Sequence, residues 1–242
     1  RHAITKMSYL HFVVTEKYRH RVIQLGESPD RVFNVGSFGA ENIKNQVLFS
    51  EDEIRRDIGI PLCVNYAVVT YHPVTLETDG VKKQIDELLE AMDCFSEMFF
   101  VITAANTDAG GDEVNQILKK FADNKGNAVF MYSLGMKRYL SAIKYASFVL
   151  GNSSSGLLEA PVLGIPTVNI GERQKGRIMA DSVINCAPIR NCIADAIKQA
   201  VNMKHLPSDI YGDGTASKQI VNIIKRYLKK GKINLKKGFY DI

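Results

Sequence analysis

Short runs rich in β-branched and aromatic residues recur along this chain with amphipathic segments between them, and this alternation narrows its fold more than any other feature. The runs are Leu10 to Val14, Val32 to Val35, Tyr66 to Thr70, Phe99 to Thr103, Ala128 to Tyr132, Phe148 to Leu150 and Pro166 to Ile170. Between them, Val81 to Phe95, Asp112 to Lys125 and Met136 to Ala146 carry apolar residues at helical spacing. The pattern predicts an α/β architecture, a Rossmann-like doubly wound parallel sheet. Ligands of such sheets bind outside the carboxyl ends of the strands, where His72, Asn106 and Ser153 all fall. With 242 residues, 45% of them hydrophobic, the chain can bury one large core or two smaller ones.

Composition closes off several functions. The longest apolar runs, such as Met98 to Ala105, fall far short of the roughly 20 residues a bilayer span needs, and Arg1 to Lys6 lacks the shape of a signal peptide. A soluble cytoplasmic protein without a membrane partner is expected. Cys63, Cys94, Cys186 and Cys192 show no CxxC spacing and lie in or beside apolar segments, so buried free thiols are expected. His2, His11, His20 and His205 have no metal-ligand spacing, and no metal site is proposed. The net charge of +5 is concentrated in Lys225, Arg226, Lys229, Lys230, Lys232, Lys236 and Lys237, so the rest of the chain is slightly acidic. A helix end whose cations complement the dipole, followed by a solvated arm, explains that tail. Its only aromatic company, Tyr227 and Phe239, is thin for base stacking, so no nucleic-acid partner is expected.

The richest local signal is Gly151, Asn152, Ser153, Ser154, Ser155 and Gly156, between a strand-like run and a helix-like segment carrying Glu159. A helix beginning near Ser154 would aim backbone N–H groups and the positive end of its dipole at the turn, with serine hydroxyls as further donors. A diphosphate fits that description. An N-cap and turn would need fewer hydroxyls. Glu159, placed on the first turn or so, could accept hydrogen bonds from a ribose diol, or simply complement the dipole. His72, after a strand and before Pro73, belongs on a loop at the sheet's edge, where it serves either function or structure. Gly171 to Arg177 concentrates three cations after a strand and suits phosphates or a base, or is a solvated loop. Tyr211 to Gly214 reads as a tight turn. No GxGxxG or phosphate-binding P-loop is present, and GxSxG fails because position 155 is Ser.

Five segments in order, Arg1 to Lys6 (RHAITK), Val69 to Glu77 (VTYHPVTLE), Gly151 to Pro161 (GNSSSGLLEAP), Pro166 to Arg177 (PTVNIGERQKGR) and Tyr211 to Gly214 (YGDG), resemble the hydrolysing branch of the UDP-N-acetylglucosamine 2-epimerase family, of the sialic-acid and capsule type. The resemblance runs across nearly the whole chain. It implies two Rossmann-like domains of the GT-B type facing a cleft, usually in a homo-oligomer. Residues 1–37 would end the first domain, whose remainder is missing, 38–224 would form the UDP-binding second domain, and 225–242 the basic helix end and tail. Gly36 to Asn45 reads as the linker between domains.

The resemblance further implies that the second domain holds UDP, with Ser153 and Ser154 at the diphosphate, Glu159 at the ribose, and Arg173 with the backbone near Leu134 around the uracil. His72 would sit near the diphosphate and stabilise the leaving group, and Asn106 would add a polar contact. The implied reaction is anti elimination of UDP followed by hydration with inversion at C2, giving N-acetylmannosamine, without metal or NAD. The carboxylates that move the C2 proton belong to the family's first domain, so none is assigned here, and the chain alone is expected to bind UDP without turnover. A hydrolysing epimerase of a UDP-linked 2,4-diacetamido-trideoxyhexose, a GT-B glycosyltransferase and a non-catalytic nucleotide-binding regulator are the rival readings.

Overall fold

In the computed structural model of the chain, the described residues are 2–73, 80–106, 110–229, 231 and 235–242. They form two compact units, Arg1–Asn45 with Asp209–Ile242, and Gln46–Ser208. The smaller unit opens with α1 (His2–Met7), β1 (His11–Val13), α2 (Glu16–Gln24), β2 (Val32–Asn34) and α3 (Phe38–Asn45). Its two strands pair in parallel, with His11 opposite Val32 and Val13 opposite Asn34.

The larger unit runs α4 (Glu51–Ile58), β3 (Tyr66–Thr70), α5 (Val81–Met92), β4 (Phe99–Thr103), α6 (Gly111–Asp123), β5 (Ala128–Met131), α7 (Gly135–Lys144), β6 (Phe148–Gly151), α8 (Ser155–Leu158), β7 (Thr167–Ile170), β8 (Val183–Cys186) and α9 (Arg190–Val201). A capping box starts α4: the Ser50 hydroxyl accepts from the Glu53 amide and the Glu53 carboxylate from that of Ser50. All six strands are parallel in the order β5-β4-β3-β6-β7-β8. The chain therefore builds outward from β3 to β5, returns to lay β6 on the other side of β3, and builds out again to β8. The reversal of winding lies between β3 and β6.

Period-two alternation distributes this sheet's side chains between two cores. Tyr66, Val68 and Val101 pack with Ile54 of α4 and Ile143 of α7, while Ala67, Val69 and Phe100 pack with Leu88 of α5, Leu118 of α6 and Ile197 of α9. Because both faces are covered, β3 is buried at every residue and reads as a continuous apolar run. The Tyr66 hydroxyl donates to the Ala142 carbonyl at 2.7 Å, and burial first of all raises its pKa.

Three readings change. Gly36 to Asn45 is no linker: residues 38–45 are the amphipathic helix α3, which buries Ala40 and Ile43 within the smaller unit. The units also divide after Asn45 and again at Asp209, because the last helix, α10 (Ala216–Lys229), packs with α3, and the Ser217 amide donates to Glu41 at 2.8 Å. Nor is the tail simply solvated. Lys237 lies 2.6 Å from the buried Glu27 carboxylate and donates to the carbonyls of Thr5, Lys6 and Ser8, and the Tyr240 amide donates to the Gly26 carbonyl at 3.0 Å. Lys230 and Lys232 lie outside the described residues. The four cysteines are free thiols, but Cys63, Cys94 and Cys192 are exposed and Cys186 half-buried: Cys63 and Cys94 lie in turns, Cys192 on the first turn of α9 and Cys186 at the end of the edge strand β8. Among the described residues no helix is long and apolar enough to cross a membrane.

Candidate functional site

The strand ends at the reversal between β3 and β6 are held together by Asn152. Gly151 has φ +132°, and a Cβ there would meet the Thr70 carbonyl oxygen at 2.0 Å, so only glycine lets β6 end this close to β3. Asn152, 1% exposed, then spends both ends of its side-chain amide on the main chain of one residue. Its Oδ1 accepts from the His72 amide at 2.7 Å, and its Nδ2 donates to the His72 carbonyl at 2.8 Å. The carbonyl of Asn152 accepts from Gln174 Nε2 at 2.8 Å and from Arg173 Nη1 at 3.2 Å. Three strand-end loops thus meet on one residue.

A fourth loop joins through the His72 ring, whose Nδ1 accepts from the Asn106 amide at 3.0 Å. Asn106 is pressed forward by the start of α6. Gly111 lacks the Cβ that would come within 2.1 Å of the Asn106 carbonyl oxygen, and Asn115 Oδ1 accepts from the Ala105 amide at 2.7 Å. His72 and Asn106 are therefore partners, as their places at strand ends led one to expect. Val74 to Glu77, the remainder of the histidine motif, lie outside the described residues.

Ser153 and Ser154 are half-buried on the turn, and Ser155 Oγ lies 3.3 Å from Ser153 Oγ. Tyr139 of α7 hydrogen-bonds Ser155 Oγ. The helix following this turn is a single turn of four residues with Ser154 as N-cap, so its dipole is much weaker than a long helix would supply. Glu159 sits at the C-cap of α8, not on its first turn, because the helix stops early. That removes the reading of Glu159 as an acid complementing a helix N-terminus. Instead Glu159 and Leu134 line one cavity of about 330 Å³, walled by Ala104, Tyr132, Met136 and Tyr139. Burial raises the Glu159 carboxyl above its ordinary value, and burial likewise raises Tyr139, against the pull of its bond to Ser155, with the nearby Glu159 adding to the rise.

Arg173 is exposed on its loop and reaches the Asn152 carbonyl, without lining the cavity that Leu134 and Glu159 share. Lys175 in the same loop pairs with Glu172, whereas Gln174 is 2% exposed. Asn152, Gln174 and Tyr139 escaped the sequence reading. Asn152 stood inside the quoted motif, but nothing in a lone Asn announces a side chain bonded to a distant backbone. The Tyr211 to Gly214 turn lies in the smaller unit, where Ser37 donates to the Tyr211 carbonyl at 2.7 Å. Among the described residues no group of three or more His, Cys, Asp or Glu side chains gathers to hold a metal.

A doubly wound parallel sheet with its polar loops gathered at the switch point is a Rossmann-like α/β domain, as found in proteins of the GT-B type. The family model for UDP-N-acetylglucosamine 2-epimerase matches residues 1–225, and the chain belongs to that family. It is 42% identical, over a 248-residue alignment, to polysialic acid biosynthesis protein P7 of Escherichia coli, which takes in 100% of this chain and 63% of that protein. It is 39% identical over 186 residues to the GDP/UDP-N,N'-diacetylbacillosamine 2-epimerase (hydrolyzing) of Campylobacter jejuni, covering 76% of this chain and 48% of that one. The crystal structure of UDP-GlcNAc 2-epimerase from Neisseria meningitidis bound to UDP-GlcNAc superposes with TM-score 0.77 at 17% identity, over 92% of this chain and 62% of that one. The chain therefore spans less than two thirds of the length of each of these proteins.

Proposed function

We propose that this chain is the UDP-binding part of a hydrolysing UDP-sugar 2-epimerase that converts UDP-N-acetylglucosamine to UDP and N-acetylmannosamine. The observation that carries the reading is the switch-point cluster of His72, Asn106 and the serine turn, beside a cavity where a half-buried carboxylate, Glu159, faces walls that mix apolar side chains with Thr103, Ser133 and two tyrosines. Ser153 and Ser154 hydroxyls hold the diphosphate, Glu159 accepts from the ribose diol, and the Leu134 backbone with its apolar neighbours receives the uracil. Arg173 closes over the base from its loop. Loss of the C2 proton and cleavage of the C1–O bond expel UDP and leave an unsaturated sugar. Water then adds at C1 while a proton returns to C2 on the opposite face. His72 stabilises the charge gathering on the departing diphosphate. The carboxylates that handle the C2 proton are not assigned to this chain, so the 242 residues alone bind UDP and release no sugar.

Calorimetry tests the grip. Ser154→Ala should weaken UDP by about 1.5–3 kcal/mol, the range for a hydrogen bond to a charged group, and unchanged affinity would remove the serine assignment. Glu159→Gln should weaken UDP more than pyrophosphate, which has no ribose. The 39% identity to a protein named for UDP-N,N'-diacetylbacillosamine favours a second reading, in which that nucleotide sugar is the substrate. Assaying free-sugar release from both substrates by the whole enzyme separates the two.

A further inference from the structure

We propose that Asn152 is a positioning residue which, with the main-chain amide of Asn106, holds the His72 ring as a neutral imidazole protonated at Nε2. A backbone amide can only donate. The 3.0 Å contact from Asn106 N to Nδ1 therefore requires a lone pair on Nδ1, and the ring's proton resides on Nε2. An imidazolium would set N–H against N–H at that contact and lose the bond.

The ring can keep this contact only if its own backbone is fixed, and Asn152 fixes it. The His72 amide and carbonyl are both bonded to the one side chain at 2.7 and 2.8 Å, so Oδ1 must face the amide and Nδ2 the carbonyl. The reverse orientation would oppose two donors and two acceptors. The Asn152 amide itself donates to the Thr70 carbonyl at 3.2 Å. Its side chain thus carries the β3–β6 ladder one residue beyond the last strand pair, Thr70 with Gly151. Gln174 Nε2 closes the arrangement from the loop after β7.

The chemical consequence rests on the UDP-sugar reading given above. A neutral imidazole cannot surrender its Nε2 proton to a diphosphate, because the product would be an imidazolate. His72 then stabilises departing UDP as a hydrogen-bond donor, with no proton transfer, and UDP leaves as the anion.

Long-range proton–nitrogen correlation spectra of the histidine-labelled chain, with the His72 signal assigned by its loss in His72→Ala, read the ring state without any substrate. The expected result is an unprotonated Nδ1 and a protonated Nε2 at neutral pH. A proton on Nδ1, or an imidazolium, would overturn the proposal. Asn152→Asp removes the donor to the His72 carbonyl and sets a carboxylate against it. That variant should show a mixture of tautomers and at least a tenfold loss of UDP affinity, restored in neither respect by Asn152→Ala. Unchanged tautomer and unchanged affinity in Asn152→Asp would also overturn it. If Asn152→Asp does not fold, Asn152→Ala, which removes both bonds to the His72 main chain, takes its place with the same two readouts, and an unchanged tautomer with unchanged affinity there overturns the positioning role. A chain that bears the Nε2 proton yet binds no UDP would refute the proposed function and leave this assignment standing.

Discussion

The two units solve the same problem with different means. In residues 46–208 every residue of β3 and β4 is buried, and aliphatic and aromatic side chains fill both faces of the sheet. In the smaller unit the strands are three residues long, and α1 and α2 contain no fully buried residue. As deep there as the apolar Val32, Ala40 and Ala216 lies a charge. Glu27, 1% exposed, meets His11 at 3.0 Å, Lys6 at 3.2 Å and Lys237 at 2.6 Å. Where apolar area is scarce, long-range order comes from a carboxylate that distant cations must reach to satisfy. Such a cluster stabilises less than an equal volume of hydrocarbon, but it is costly to leave half-made.

The comparison breaks most visibly in the larger core. Phe100→Ala should lose about 3–5 kcal/mol, as a fully buried aromatic does, measured as a shift of the denaturation midpoint. A loss confined to tenths of a kcal/mol would mean that the sheet faces are not packed as described. Lys237→Met should cost about 3 kcal/mol, the low end for removing one partner of a buried ion pair because Lys6 and His11 remain. Hydrogen exchange in that variant should quicken in 11–13 and 32–34 and leave 66–70 unchanged; uniform quickening would argue against two separate cooperative units.

Acid should sharpen the contrast. Burial lowers His11 below its ordinary 6.5, outweighing the attraction of Glu27. For Glu27 burial works upward, but hydrogen bonds from Lys237, Lys6 and His11 prevail and hold it below 4.5. Both groups bind fewer protons folded than unfolded, so their contribution is present above the ordinary values and fades as pH falls through the depressed ones. Glu159 has the opposite sign. Its folded value is raised, so its contribution is full below the ordinary 4.5 and declines as pH rises through the raised value. Exchange measured while pH is lowered from 7 toward 4 should therefore release the smaller unit first. The smallest effect is on binding: affinity for UDP-N-acetylglucosamine, which has no phosphate monoester to titrate, should fall as Glu159 takes up its proton, and Glu159→Gln should flatten that dependence. A wild-type profile already flat would detach Glu159 from the ligand.

Among the described residues seven of the eight strands were legible: β3, β4, β6 and β7, buried throughout, leave a nearly unbroken apolar signature, and β1, β2 and β5, only partly buried, still stand out by their β-branched and aromatic residues. β8 was not: of its four residues only Val183 and Ile184 are β-branched, and Asn185 and Cys186 end the run, whereas β5, at the opposite edge, keeps an apolar sequence throughout. His72, Ser153, Ser154 and Glu159 could be found because strand-end loops are where such folds gather polar groups. The geometry of Glu159 was missed, although Pro161, three residues beyond Leu158, is a signal that a helix stops there and leaves only a single turn before it. α3 was misread for the opposite reason: two glycines at its start suggested a linker, whereas Gly36 serves a close approach to Gly212, whose Cα would lie 2.9 Å from an added Cβ. The clasp of the tail on Glu27 joins residues 210 positions apart, beyond any local pattern.

Asn152 also makes the protein a recorder of its own openings. An asparagine followed by serine is prone to lose its amide nitrogen when the side-chain carbonyl is free to be attacked by the next backbone nitrogen. Here the side chain is held at both ends by the His72 main chain, so it cannot rotate into the ring-closing geometry and ageing at this position is suppressed while the strand ends stay joined. Each excursion that parts them exposes the amide, and the aspartate left behind cannot donate to the His72 carbonyl again. Damage should therefore accumulate irreversibly and in proportion to time spent open, readable by peptide mass spectrometry as a slow gain at residue 152 that bound UDP retards.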